Sequence, residues 1–135
     1  AFSSRAVPWH LTTREFLAEV DRVMTNDGVY VMNIIDGGSF DFARAEVATL
    51  MQIFDNVQVV IPPDGLPAQG FSNVMLVASR SELPDLGIAS EDGQALSPAI
   101  RDKGSRTFTD SETVAFWDGA DWLRDDYAPV DQLQQ

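Results

Sequence analysis

The chain has 135 residues, enough for one domain that buries roughly two thirds of its unfolded surface. Nine Lys and Arg stand against 21 Asp and Glu, a formal charge of -12, which argues against a grip on nucleic-acid phosphates or an anionic membrane. The absence of cysteine excludes disulfides, thiolate metal sites and cysteine nucleophiles, and the single histidine, His10, excludes a multi-histidine zinc site. Residues 1–11 read as a loop ending near Pro8, Trp9 and His10. Thr12 and Glu15 have capping-box spacing, and Phe16, Leu17, Val20 and Val23 recur at helical intervals, which predicts a helix over about 13–24. Gly28 can take the positive φ that ends it.

Residues 29–35 are a nearly continuous, β-branched apolar run, predicted as a strand buried on both faces. Asp36-Gly37-Gly38-Ser39 is a turn. Phe40, Ala43, Val47, Leu50, Met51 and Phe54 mark one face of a second helix over about 41–54. Residues 57–61 form a second strand, a Pro- and Gly-containing loop runs to about 72, and residues 73–79 form a third. Residues 81–110 are rich in Gly, Ser, Pro and acidic side chains and read as a long surface loop. A short helix is expected between Glu112 and Leu123, around Gly119, and a final turn over 125–129. No apolar run approaches the roughly 18 residues of a membrane helix, so this segment is expected to make no membrane contact.

Helix, strand, helix, strand, strand is an α/β pattern. The strand–helix–strand unit gives two parallel strands joined by a crossover helix. The third strand follows without a helix and is expected to run antiparallel to the second. Three strands make a thin core, so the chain reads as the C-terminal half of a larger sheet with helices on its faces. Its start fits that reading: there is no initiator methionine, and Ala1-Phe2-Ser3-Ser4-Arg5 lacks the basic region and apolar core of a signal peptide. The expected organisation is one domain, with 1–80 as half of a Rossmann-like unit. Residues 81–110 are its acidic loop, and 111–135 a terminal helix and Asp-Asp-Tyr-Ala-Pro segment.

Three stretches then resemble the spermidine synthase-like family of the Rossmann-like methyltransferase fold. They are Ala1-Phe2-Ser3-Ser4, Leu11 to Phe16 with Asp27-Gly28-Val29, and Asp125-Asp126-Tyr127-Ala128-Pro129-Val130-Asp131-Gln132-Leu133. In one branch of that family the last motif begins Leu-Thr-Asp-Asp-Tyr; Arg124 stands here where Thr is usual. The resemblance implies aminopropyl transfer from decarboxylated S-adenosylmethionine to an amine such as putrescine, without a metal, in the cytoplasm. Family members commonly form dimers, so the resemblance also allows a homodimer. Carboxylates suit this work because they hold ammonium groups and can take the proton that the attacking amine must lose.

The family's acidic loop has two Asp residues. The match puts the first before Ala1 and the second at Ser3, which carries no charge. That departure favours a related S-adenosylmethionine-dependent methyltransferase as the alternative; a non-catalytic acidic module binding a cationic protein or polyamine is a third reading. No G-x-G-x-x-G occurs, so the chain alone is expected neither to bind the nucleoside well nor to be active, and to need an N-terminal half as partner. No catalytic base is singled out. The candidate substrate residues are Ser3 and Ser4 by position in the loop, and His10 as the lone imidazole, which a structural place beside Trp9 would equally explain. Asp36 joins them at a strand end, where a turn also favours Asp. Asp125, Asp126 and Tyr127 could line an amine site or simply form a capped turn.

Overall fold

The computed structural model describes residues 8–83 and 105–133. Ser3, Ser4 and most of the expected 81–110 loop lie outside these residues. A 3-10 turn, Trp9–Leu11, leads into helix α1 (Arg14–Val23). Strand β1 (Tyr30–Gly37), helix α2 (Asp41–Leu50), strand β2 (Asn56–Ile61) and strand β3 (Phe71–Ser79) follow. A two-residue strand β4 (Arg106–Thr107), helix α3 (Asp110–Trp117) and a one-turn helix α4 (Val130–Leu133) complete the order.

The sheet order is β1-β3-β2-β4. Strand β3 is antiparallel to both β1 and β2, so those two run in the same direction, with β3 inserted between them. The α/β class, the parallel pair and the closing antiparallel strand are as expected. The end of the predicted 81–110 loop is instead ordered: β4 pairs with β2, and α3 begins at Asp110.

The cross-strand pairs Ile34–Val74, Met32–Leu76 and Val59–Leu76 place these side chains on one sheet face. Helices α1 and α2 and the segment from Phe108 to Leu133 share a single core with that face. Leu17, Phe42, Val47, Leu50, Leu123 and Val130 are all buried in it. The opposite face is different. Val31, Asn33, Ile35, Phe71 and Met75 are exposed there, whereas Val60 and Val77 pack with Leu83 and Ser79 is buried at the end of β3.

Strand β1 is therefore buried on one face, not two. Its outward positions are apolar, which hides the period-2 alternation of a half-buried strand. Among the described residues no strand pairs with its free side.

Two helix boundaries follow cap chemistry that spacing alone misplaced. Thr13, not Thr12, caps α1: its hydroxyl accepts from Phe16 N at 3.3 Å, while Thr12 Oγ1 donates to the Trp9 carbonyl at 2.6 Å. The capping box sits on α3, where Thr109 Oγ1 accepts from Glu112 N and Glu112 Oε2 accepts from Thr109 N. That backbone bond, with Arg106 at 2.7 Å, holds the Glu112 carboxyl down at about 2. The predicted second helix ends at Leu50 rather than 54, passing through turn residues to the buried Phe54. The terminal helix ends at Trp117, before Gly119, whose φ of 76° breaks it.

Strands β1 and β3 approach closely where β1 ends. A Cβ at Gly37 would collide with the Gly70 carbonyl oxygen, and backbone cannot swing aside as a side chain can. Gly37→Ala is expected to cost about 1–3 kcal/mol. Urea unfolding should show a lower midpoint with an unchanged slope; an unchanged midpoint would mean the strand end shifts freely.

Candidate functional site

Strand β1 delivers Asp36 to the start of α2, and local geometry dictates what it does there. The residue preceding α2 is Phe40, left-handed at φ 57°, ψ 37°, and its phenyl cannot accept from a helix N–H. Asp36 reaches across instead. One carboxylate oxygen accepts from Gly37 N at 2.8 Å and the other from Ala43 N at 2.8 Å. The side chain is fully buried, and burial raises its pKa against the lowering effect of those N–H groups.

The C-terminal segment runs back over α2 and α1. Arg44, from α2, donates to the carbonyls of Phe116 and Asp118 at 2.7 and 3.2 Å, which fixes the end of α3. Further on, Leu123 N donates to Thr49 Oγ1 at 2.9 Å, and the Leu123 carbonyl accepts from Arg14 N at 2.9 Å. Asp125 Oδ1 accepts from Thr13 Oγ1 at 2.7 Å, and its own N–H donates to Glu15 Oε2 at 3.1 Å. Arg124 and Tyr127 exchange both backbone hydrogen bonds at 2.9 Å, so Asp125 and Asp126 form the tip of a tight turn.

That turn borders a groove of about 160 Å³ between α2 and the tail, lined by Asp41, Arg44, Asp121, Tyr127 and Pro129. Tyr127 is 44 % exposed at its edge. Beside it the Arg124 guanidinium lies 4.8 Å over the Trp122 ring. The groove is smaller than the roughly 300–1,000 Å³ typical of small-molecule sites, which suits one wall of a site better than a whole one. Among the described residues no three metal-ligating side chains come together.

The structure thus brings Asp125, Asp126 and Tyr127 into one turn. Asp126 is exposed and lies 3.6 Å from Arg124. His10 is exposed in the 3-10 turn, its ring edge-on to Trp9 at 5.9 Å. No hydrogen bond among the described residues joins His10 or Asp36 to the Asp125–Tyr127 turn.

Sequence reasoning missed Thr13, Glu15, Arg44 and Thr49, the partners that dock the tail. It also missed Glu46 on α2, which is fully buried with neither carboxylate oxygen partnered among the described residues. Burial raises its pKa well above the usual carboxylate range. Nearby Tyr30 is pushed up to about 12, by its own burial first and then by Glu46. The one sign in the sequence was Glu46 itself, a charge inside an apolar helix run.

A probable spermidine synthase from Corynebacterium glutamicum superposes on 93% of this chain, with a TM-score of 0.73 and 25% sequence identity. The chain has a spermidine synthase-like fold. It covers 45% of that neighbour's length. No family model and no curated protein matches the sequence. The likeness agrees, at the level of the fold, with the family resemblance read from the sequence. No helix among the described residues is long and apolar enough to cross a membrane.

Proposed function

We propose that the chain is part of a spermidine synthase-like transferase that moves an aminopropyl group from decarboxylated S-adenosylmethionine to a small amine such as putrescine. The structural likeness to the C. glutamicum protein carries the reading. Such a reaction is a direct displacement. The acceptor nitrogen forms a C–N bond at the methylene beside the sulfonium, and the C–S bond breaks with its electron pair returning to sulfur. The amine proton passes to a carboxylate or to water. Because sulfur leaves as a neutral thioether, the step needs no Lewis acid.

In this reading Tyr127, at the groove, and the exposed Asp126 beside it in the turn face the cationic acceptor, since carboxylates and aromatic faces both favour cations. His10 lies in the turn that leads into α1, Ser3 and Ser4 precede it in sequence as further candidates for the acceptor loop, and Asp36 shapes the start of α2. The bare sheet face and the free side of β1 receive a nucleotide-binding half, which completes the sheet and supplies the rest of the pocket. The setting is cytoplasmic.

A second reading, S-adenosylmethionine-dependent methyl transfer, draws support from Ser3, which stands where the family's acidic loop carries Asp. The test is product formation from putrescine by the complete protein that carries this chain together with a nucleotide-binding half, with each of the two sulfonium donors, in excess chelator. An aminopropylated product supports the first reading. A methylated product moves the assignment to the second, and no product from either donor overturns both.

A further inference from the structure

We propose that Asp125 is a positioning residue: working through the Thr13 hydroxyl, it fixes the chain that leads into α1 and hence the placement of Trp9 and His10. This rests on the transferase reading and deepens it. It also gives the first Asp of the Asp-Asp-Tyr turn a task other than touching substrate.

The Thr13 hydroxyl sits at the centre of the arrangement. It has one hydrogen, which goes to Asp125 Oδ1, and its lone pairs accept from Phe16 N. One buried side chain thus caps α1 and ties down the tail. The tie is reciprocal, because the Asp125 N–H donates to Glu15 in the same helical turn. The tail contributes again where the Leu123 carbonyl accepts from Arg14 N, another of the free donors at the helix start. It is anchored from behind by Thr49, itself fully buried and bonded to the Ala45 carbonyl.

Upstream of Thr13 there is little slack. Leu11 N and Thr12 N donate to the Pro8 and Trp9 carbonyls, and the Thr12 hydroxyl donates to the Trp9 carbonyl as well. A displacement of Thr13 therefore carries directly to Trp9 and His10, the exposed pair of this turn. Asp125 lies more than a hundred residues away in sequence and yet determines their position.

Two measurements on the protein as encoded test this: steady-state kinetics with the amine acceptor and amide hydrogen exchange over residues 9–17. Thr13→Val keeps the shape and removes the hydroxyl; Asp125→Ala removes the carboxylate; Thr13→Ser keeps the bond. Thr13→Val and Asp125→Ala are each expected to raise KM for the amine about tenfold with kcat changed by less than about twofold. The double variant should be no worse than either single one, and Thr13→Ser should behave as wild type. Exchange at Leu11, Thr12 and Phe16 should quicken about tenfold in both disruptive variants.

Should Asp125→Ala fail to fold, Asp125→Asn, which retains an oxygen for Thr13, is expected to keep wild-type exchange. Faster exchange in Asp125→Asn would overturn the proposal. So would a kinetic defect in Asp125→Ala with unchanged exchange and a normal Thr13→Val, since Asp125 would then touch substrate directly. Unchanged exchange and KM in both disruptive variants would overturn it too. If wild type forms no product with either donor, the transferase reading falls, while the exchange comparison still decides whether Asp125 fixes residues 9–13.

Discussion

Asp36→Ala is expected to lower folding stability by about 3 kcal/mol, among the largest effects of any single polar substitution in the chain. The substitution removes two charge-assisted hydrogen bonds at once and leaves Gly37 N and Ala43 N without acceptors in a buried setting. Phe40 offers no replacement, since its side chain has no acceptor and is itself buried. Asp36→Asn should cost roughly half as much, because its amide oxygen still serves one of the two donors while its NH2 opposes the other. Urea unfolding at neutral pH measures both. A loss below about 1 kcal/mol for Asp36→Ala would mean that solvent satisfies the start of α2.

Glu46→Met should have the opposite sign and a strong dependence on pH. A buried carboxylate without a partner favours its protonated form, so the folded pKa stands well above the unfolded value. Below the unfolded pKa, near 4.5, both states hold the proton and Glu46 costs little. As pH rises through the window between the two values, the unfolded chain gives up its proton first. Stability then falls by up to about 1.4 kcal/mol per pH unit, and it levels off above the folded pKa.

Methionine has no such slope and fills a similar volume. The variant should therefore match or slightly exceed wild type at pH 4 and exceed it by about 1–4 kcal/mol at pH 8. Denaturation at pH 4, 6 and 8 decides the matter. A gain that does not grow with pH would show that Glu46 is ionised and paired in the folded protein. Removing its charge should also bring Tyr30 part of the way down from about 12, leaving the part due to burial.

How much of this was legible in the sequence depended on the range of the interaction. The strand at Asn56–Ile61 and the helix after Ser39 announced themselves because each pattern repeats within a few residues. Strand β1 was found, but its exposure was not. Val31 and Ile35 look like core residues in any local window, and only the packing of α1 and α2 against the other face, among the described residues, tells them apart from Ile34. The choice between Thr12 and Thr13 as cap could not be made locally either, since two adjacent hydroxyls satisfy the same spacing. It is settled by Asp125, which takes the Thr13 hydrogen from across the fold. Asp36 was singled out for its place at a strand end, and the place was right. What it does there became visible only once Phe40 was seen in a left-handed conformation that leaves the helix uncapped.

The tie between Thr13 and Asp125 also bears on how the protein is made. Synthesis delivers residue 13 first, and the acceptor that orders the start of α1 leaves the ribosome 112 residues later. Helix α1 can coil early on local contacts, but the chain leading into it stays without its partner until Asp125 has emerged. The residues leading into α1 thus take their final positions only after Asp125 is available, and a contact this distant in sequence slows that step of folding.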